Sequence, residues 1–350
     1  MALWDTIKGW VAQNAQQLVA VELADANAPL IEIKPHQHYF RIWLTEMFLR
    51  QSRQWFTNVF PAVNSQVRLR FADQPAVTFS HVTSTKQDQI GTGVYLDYPV
   101  TELIPYSGGV VEVQAGLVAL TGSNSLLSAI SLLKGFSGLI AAPLGQALSI
   151  AEQVTSGMDQ LFRDAQGKVH LGFHQAFAAA GGGGVNVLRP IYVAVVSAPA
   201  NQFSASSLSI REGRLAQQPQ AGGAAGLLAG HDYMVFRIEG REERDDWRLK
   251  NIAEPLNRAI EAIGQGDLEN AKKYKAATLA AAFLSADLTV TDRRRVVESI
   301  KEELAAIEGG GLHAIPGVER GLNEIVSARA PRIDQARAKG PLKFEEVFGA

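Results

Sequence analysis

The chain has no cysteine among its 350 residues. That removes a disulfide framework, cysteine-ligated zinc, iron–sulfur clusters and a thiol nucleophile in one step. A surplus of charge of either sign is lacking too, since 33 Lys and Arg stand against 35 Asp and Glu, a formal net charge of −2. Binding by counterion release needs a marked basic surplus, so no nucleic-acid partner is expected. No stretch offers about 20 strongly apolar residues in a row, which argues against a constitutive transmembrane helix. The first residues lack the basic n-region and unbroken apolar core of a secretory signal. The cytoplasm is therefore the expected compartment, with attachment at the periphery of the inner membrane left open.

Catalytic signatures are equally scarce. The glycine run 181–184 is followed by no Lys-Ser or Lys-Thr, which a phosphate-binding loop needs for its phosphates and magnesium. Gly91-Thr92-Gly93 lacks the third glycine and the strand-to-helix setting of a dinucleotide site. No GxSxG elbow occurs. His170 and His174 are four apart, but Gly172 intervenes and no glutamate follows the first histidine, so the zinc-protease pattern is missing. His36 and His38 would share a strand face, yet two ligands do not make a metal site. No catalytic residue, metal ligand or cofactor is assigned. An enzyme assembled from scattered residues such as His36, His38, Asp97 and Glu112 stays open as a minor alternative.

What is present is organisation. Residues 241–350 carry 37 of the 68 formal charges, 18 basic and 19 acidic, and the first 240 residues carry the rest. Dense mixed charge with Ala and Leu is the composition of solvated helices, whereas the sparse part must be strand-rich or deeply packed. The boundary falls near 240, just after a Gly/Ala/Gln-rich stretch, 217–230, that reads as a flexible loop and a place for proteolytic release. Apolar alternation marks strands at 67–71, 76–82, 94–98, 110–120, 169–173, 191–196, 207–210 and 233–238. Residues 39–49 are rich in β-branched and aromatic side chains but ambiguous in period. Leu3, Ile7, Trp10, Val11 and Leu18 fall near helical spacing, giving an N-terminal amphipathic helix within 1–25. It either docks on the protein's own core or anchors to a membrane or partner through Trp4 and Trp10.

Between Glu112 and Glu152 the one charge is Lys134, and 125–162 reads as two helices broken around Pro143. This hairpin, within an insertion at about 125–164, is either buried against a sheet or exposed for assembly or bilayer insertion through Leu126, Leu133, Phe136 and Ile140. Beyond 240 the helices are well punctuated. Asp245 or Asp246 would cap one ending at Ile263, Asp267 the next to Leu284, and Asp292 would start a third ending at Gly309. A last helix is expected at 318–328. Arg293, Arg294 and Arg295 read as a solvated first turn. Trp247 with Arg244 is a candidate partner-docking pair, and Phe344 and Phe348 are candidates in a flexible tail, 331–350.

The stretches YFRIWLTEMFL, DYPVTELIPYSGGVVEVQAGL, VHLGFHQAF and DYMVFRIEGREERDDWRLKNIAEPLNRAIEAIGQGD span most of residues 39–266. In these the chain resembles an uncharacterised family of bacterial proteins from multi-gene, conflict-type (defence) operons. The resemblance implies a bacterial cytoplasmic component that works beside other proteins, and it transfers no residue role.

The expected fold is α+β. A mostly antiparallel, sandwich-like β region (30–240) carries the helical insertion, and a helical domain (241–330) and the tail follow. The leading functional expectation is a non-enzymatic interaction or effector component with a membrane-active or self-assembling segment. A constitutive oligomeric scaffold is the second. Other proteins of the same system, a second copy of the chain and a membrane surface are the expected partners.

Overall fold

A computed structural model describes residues 3–24, 32–50, 53–54, 57–70, 77–84, 94–121, 168–181, 186–199, 204–218, 223–309 and 333–348. The fold is α+β, with two units of different character. Residues 1–33, 40–104 and 108–240 form a β unit, and residues 34–39, 105–107 and 241–350 form a helical unit. The composition boundary at 240 is thus the main one, but the helical unit also takes in two short pieces of the preceding chain.

Alternating and β-branched segments become strands, as period 2 requires. The β unit contains β1 (Leu18–Leu23), β2 (Tyr39–Phe48), β3 (Arg53–Gln54), β4 (Thr57–Arg70), β5 (Val77–Ser84), β6 (Val94–Pro99) and β7 (Ile104–Pro105). It continues with β8 (Val110–Thr121), β9 (Lys168–Ala178), β10 (Asn186–Val187), β11 (Ile191–Ser197), β12 (Leu208–Arg211), β13 (Arg214–Gln217), β14 (Gly226–Leu227) and β15 (Tyr233–Arg241). These build three sheets that do not close into a barrel. One runs β1-β11-β15-β2-β6 with β7 on β2, and a second runs β10-β9-β8-β4-β3 with β5 on β4. The third is the small sheet β12-β13-β14. The pairs β1–β11, β11–β15, β2–β6, β3–β4, β4–β5, β4–β8, β8–β9, β12–β13 and β13–β14 are antiparallel, and β9 with β10 is parallel.

The first sheet is sandwiched. Tyr192, Ala194, Val196, Tyr233 and Val235 pack with Leu208, Leu215 and Leu228 of the small sheet. The alternate residues face the second sheet, where Phe236 of β15 stacks on Phe173 of β9 with ring centroids 5.6 Å apart. Coverage on both faces explains why β11, IYVAVVS, is a continuous apolar run instead of an alternating one. The stretch 217–230, expected to be a loose loop, is partly pinned by the same packing. β14 pairs with β13, and buried Leu228 donates its N–H to the Leu215 carbonyl.

The N-terminal helix is shorter than 1–25. Helix α1 spans Leu3–Asn14, and Leu18 belongs to β1, whose Val19 and Val21 pair across to β11. The helix docks on the β unit through a paired glycine notch. Gly116 of β8 lies opposite Gly172 of β9, and a Cβ at Gly172 would come within 2.7 Å of Val11 Cγ2, 3.0 Å of Trp10 and 3.2 Å of the Ile7 carbonyl oxygen. At Gly116 it would meet only the Ile7 side chain, at 2.5 Å. Of the two accounts of this helix, the described contacts are those of docking on its own sheet.

The helical unit contains α2 (Lys250–Gly264), α3 (Leu268–Leu284), α4 (Val290–Glu308), α5 (Ile333–Ala338) and α6 (Phe344–Phe348). The turn 264–267 ends one helix with Gly266 at φ +73° and starts the next with Asp267, whose carboxylate accepts the Asn270 N–H. Asp245 and Asp246 cap nothing. The first turn of α2 follows Leu249 with no side-chain cap, and the two aspartates pair with Arg241 and Arg244. Ile252, Leu256, Leu279, Val296, Ile300 and Leu304 make the core of this unit. The expected insertion at about 125–164, with Leu126, Leu133, Phe136 and Ile140, and the helix at 318–328 lie outside the described residues.

A branched side chain at Gly172 must push against backbone. Gly172→Val should destabilise the β unit by about 1–3 kcal/mol and speed hydrogen exchange across residues 3–14. Gly116→Ala, which meets only the flexible end of Ile7, should cost less. Urea unfolding and peptide-resolved exchange measure both, and equal effects at the two glycines would refute the notch.

Candidate functional site

Among the described residues two carboxylates have no exposed surface, one in each unit, and each is answered by a tyrosine and an arginine. In the β unit Glu46 projects from β2 with no exposed surface. It accepts from Arg214 Nε and Nη2 at 3.1 and 2.8 Å, from Leu215 N–H at 2.8 Å and from the Tyr233 hydroxyl at 3.0 Å. Burial and the adjacent Glu46 charge push the Tyr233 hydroxyl far above its ordinary pKa, so it remains a donor. The four donors satisfy an isolated negative charge and fasten the small sheet to β2.

In the helical unit Asp292, in the first turn of α4, is fully buried. Its Oδ2 accepts from the Tyr39 hydroxyl at 2.7 Å and from Arg244 N–H at 3.0 Å, and its Oδ1 accepts from Arg295 Nε. Arg295 also donates to the Arg244 carbonyl at 2.6 Å. Thr289 caps α4 and sends its own N–H to the Tyr39 oxygen at 2.9 Å. Burial, with the Asp292 charge beside it, raises the Tyr39 pKa well above the tyrosine range. Two of the three arginines are therefore not solvated, and the third, Arg293, lies half-buried on the Ser285 carbonyl. Arg294 and Arg295 are 4% and 5% exposed because acids and carbonyls surround them.

The candidate docking pair is also spent internally. Trp247, 7% exposed, packs among Ile252, Leu256 and Val297. Arg244, 4% exposed, bonds Asp246 and the Asp287 carbonyl. Both are core residues of the helical unit, which corrects their reading as a surface anchor. Trp4 and Ile7 are buried, and Trp10 lies half-buried over Gly172. Beside them a cavity of about 160 Å³ is lined by Ile7, Lys8, Val11, Gln114, Phe173 and His174. His38 is buried in the helical unit, its Nδ1 accepting from Lys34 N–H at 3.0 Å and its Nε2 lying 3.5 Å from Glu242. His36, with φ +63°, exchanges backbone bonds with Tyr106 and Val290. Asp97 and Glu112 belong to the β unit, on β6 and β8. Among the described residues no group of three or more potential ligands is placed to hold a metal ion.

No protein-family model matches this chain, and neither does any curated protein or solved structure. Among the described residues, no helix is long and apolar enough to cross a membrane.

The tail is where the sequence and the structure part most usefully. Described residues 333–348 are not a loose end, because α4 holds them. Arg294 donates to the carbonyls of Gly340 and Pro341 and grips both oxygens of Glu346, while Lys301 reaches the Glu346 carbonyl. Arg337 of α5 pairs with Glu242 at 2.7 Å, and Val347 inserts into the helical core. Seating Val347 turns the neighbouring rings outward. Phe344 and Phe348 stay 60% and 38% exposed and gather with Phe283 of α3, the three ring centroids 4.6 to 6.5 Å apart. Leu284, next to Phe283, is 73% exposed. Phe344 and Phe348 are thus brought together at a surface, with Phe283 and Leu284 as additions that spacing alone did not single out.

Glu46→Gln should lower the stability of the β unit by about 2–4 kcal/mol, because Arg214 then faces a neutral amide inside the fold. Adding Arg214→Met should recover part of that loss, and denaturant unfolding of the single and double variants measures it. The tail clamp carries a pH signature. The Arg294 bonds hold the Glu346 pKa below the usual glutamate range, and at Glu242 the Arg337 bond outweighs the upward push of partial burial. A folded value below the unfolded one means the contribution is complete above the ordinary carboxylate range and is lost as pH falls through the depressed value. Hydrogen exchange of residues 333–348, corrected for the intrinsic rate, should be slow at about pH 6 and fast at about pH 3.5. Equal protection at both would show that the acids do not hold the tail.

Proposed function

We propose that the chain is a non-enzymatic interaction and effector component of a bacterial, cytoplasmic, defence-type multiprotein system, acting by assembly with copies of itself and with other proteins. The observation that carries the assembly reading is the aromatic group in which exposed Phe344 and Phe348 gather on half-buried Phe283, with exposed Leu284 the next residue along α3. Large apolar side chains that are clustered, rigidly seated and wet are the usual material of an interaction surface. The buried polar networks support the same side. Asp292 and Glu46 are saturated by internal partners, and tyrosines with raised pKa values are poor bases and poor nucleophiles at neutral pH.

A compact aromatic patch pairs well with itself, because a two-fold contact needs only self-complementarity. Self-association through this face is therefore the expected mode, and proteins of the same system are the further partners. The segment 125–164 keeps its place in the proposal as the membrane-active or assembling element, but the described residues do not include it.

Sedimentation velocity over a hundredfold range of protein concentration tests the reading. The native chain should move from a monomer towards a dimer or larger species. Phe344→Ser with Phe348→Ser should shift that transition at least about tenfold in concentration, while thermal unfolding stays within a few degrees of the native chain. A native chain that stays monomeric throughout, or a double variant that associates as well as the native one, would refute it.

A further inference from the structure

We infer that the surface of the β unit around Trp43 is a binding site for an oxyanion, a carboxylate or phosphate group gripped by the guanidinium of Arg41 with Arg237 as the second cation. The site begins as a repeated triplet. Residues 40–42 and 236–238 both read Phe-Arg-Ile and lie on the neighbouring strands β2 and β15. Strand period sends Phe40, Ile42, Phe236 and Ile238 into the interior, where all are buried, and turns both arginines to the opposite face. Between them stands Trp43, two residues beyond Arg41 and so on the same face. The Arg41 and Arg237 guanidinium carbons lie 5.2 and 5.0 Å from its ring centroid. The indole N–H donates to Glu239 at 2.7 Å, which fixes the ring as a platform for both cations.

Three features single this face out. Among the described, partly buried arginines of the unit, Arg41 has no carboxylate within ion-pair distance, whereas Arg189, Arg214 and Arg237 each have one. Six buried side-chain polar atoms lack a hydrogen-bond partner among the described residues, and three of them are here: Arg41 Nε, Arg237 Nε and Asp97 Oδ1. Asp97, on β6, holds φ at +41°. To reach it Arg237 crosses over β2, and the pair is loose at 3.6 Å. Native proteins rarely leave buried donors unanswered, and strained non-glycine backbone concentrates at functional positions.

The chemistry of the ligand follows from the atoms left over. The Arg41 guanidinium keeps its Nε–H unfilled, and a guanidinium edge is the group that takes two oxygens of one carboxylate or phosphate. Asp97 pairs loosely with Arg237 and Glu239 holds the Trp43 indole, so the two acids balance the two arginines and an extended polyanion meets no net positive surface here, while one oxyanion needs only the Arg41 edge. That excludes a nucleic-acid backbone and agrees with the overall charge of −2. The site lies on the β unit and is independent of the aromatic surface of the helical unit.

Arginine side-chain NMR of the full chain tests it, with inorganic phosphate and acetate as separate probes at constant pH and ionic strength. The Arg41 Nε–H and Trp43 indole N–H resonances, assigned from Arg41→Gln and Trp43→Phe, should shift and saturate in the low millimolar range or below. Saturation by phosphate alone identifies a phosphorylated ligand, by acetate alone a carboxylate ligand, and by both the shared oxyanion chemistry; each supports the site. Arg41→Lys, which keeps the charge but not the fork, should weaken binding at least about tenfold, and Arg41→Gln should abolish the Trp43 response. The inference fails if neither probe saturates by about 20 mM, or if Arg41→Lys titrates like the native chain.

Discussion

The β unit depends on a sheet that is covered on both faces where β11 and β15 cross its centre. One face packs on the small sheet and the other on the second large sheet, and that double coverage dictates the rest. It makes β11 apolar at six consecutive positions, disfavours any uncompensated polar group there, and leaves Glu46 with no exposed surface. A carboxylate in such a place is tolerable only when every oxygen lone pair that faces protein is met. Arg214, Leu215 N–H and Tyr233 meet them, and two of these three come from the small sheet. The charge thereby selects one docking of that sheet, where apolar contact alone would accept several.

The helical unit solves a similar problem with different geometry. Asp292 sits where a helix N-terminus already favours negative charge, and its partners arrive from three separate pieces of chain: Tyr39, Arg244 and Arg295. This is why residues 34–39 belong with the helices although strand β2 begins at Tyr39. Arg294, one position before Arg295 on the same helix, points the other way and organises the tail. A run of three arginines is thus divided among the Ser285 carbonyl, a terminal segment and an interior carboxylate.

How legible this was varies with the length over which a pattern repeats. β4, β5, β8, β9, β11 and β15 were readable from alternation or from an apolar run, and the α3 limits from Gly266, Asp267 and Leu284. The two-residue strands β7, β10 and β14 carry no periodic signal, because two residues define no period. Residues 18–23 were absorbed into a helix since Leu18 fits both spacings, and pairing with β11 decided the matter. Arg293 to Arg295 looked solvated because a sequence shows charge but not the distant acids that neutralise it. Glu46 gave a faint signal, a lone acid inside YFRIWLTEMFL. The docking role of Trp247 failed for the converse reason: a tryptophan among charges looks exposed until Ile252 and Leu256 are folded over it.

Burial also explains which surfaces are left for partners. Polar groups that the fold closes over are matched internally at Glu46 and Asp292, and a new ligand could reach them only by breaking a satisfied network. Among the described residues, the side chains left without an internal match include the rings of Phe344 and Phe348 and the Nε of the Arg41 guanidinium. Each is held in place by something that is satisfied: the rings by buried Val347 and the Arg294–Glu346 clamp, the guanidinium by a Trp43 fixed on Glu239. Side chains already immobilised lose little further freedom when a partner arrives, so the ordering cost of association is low at these two places.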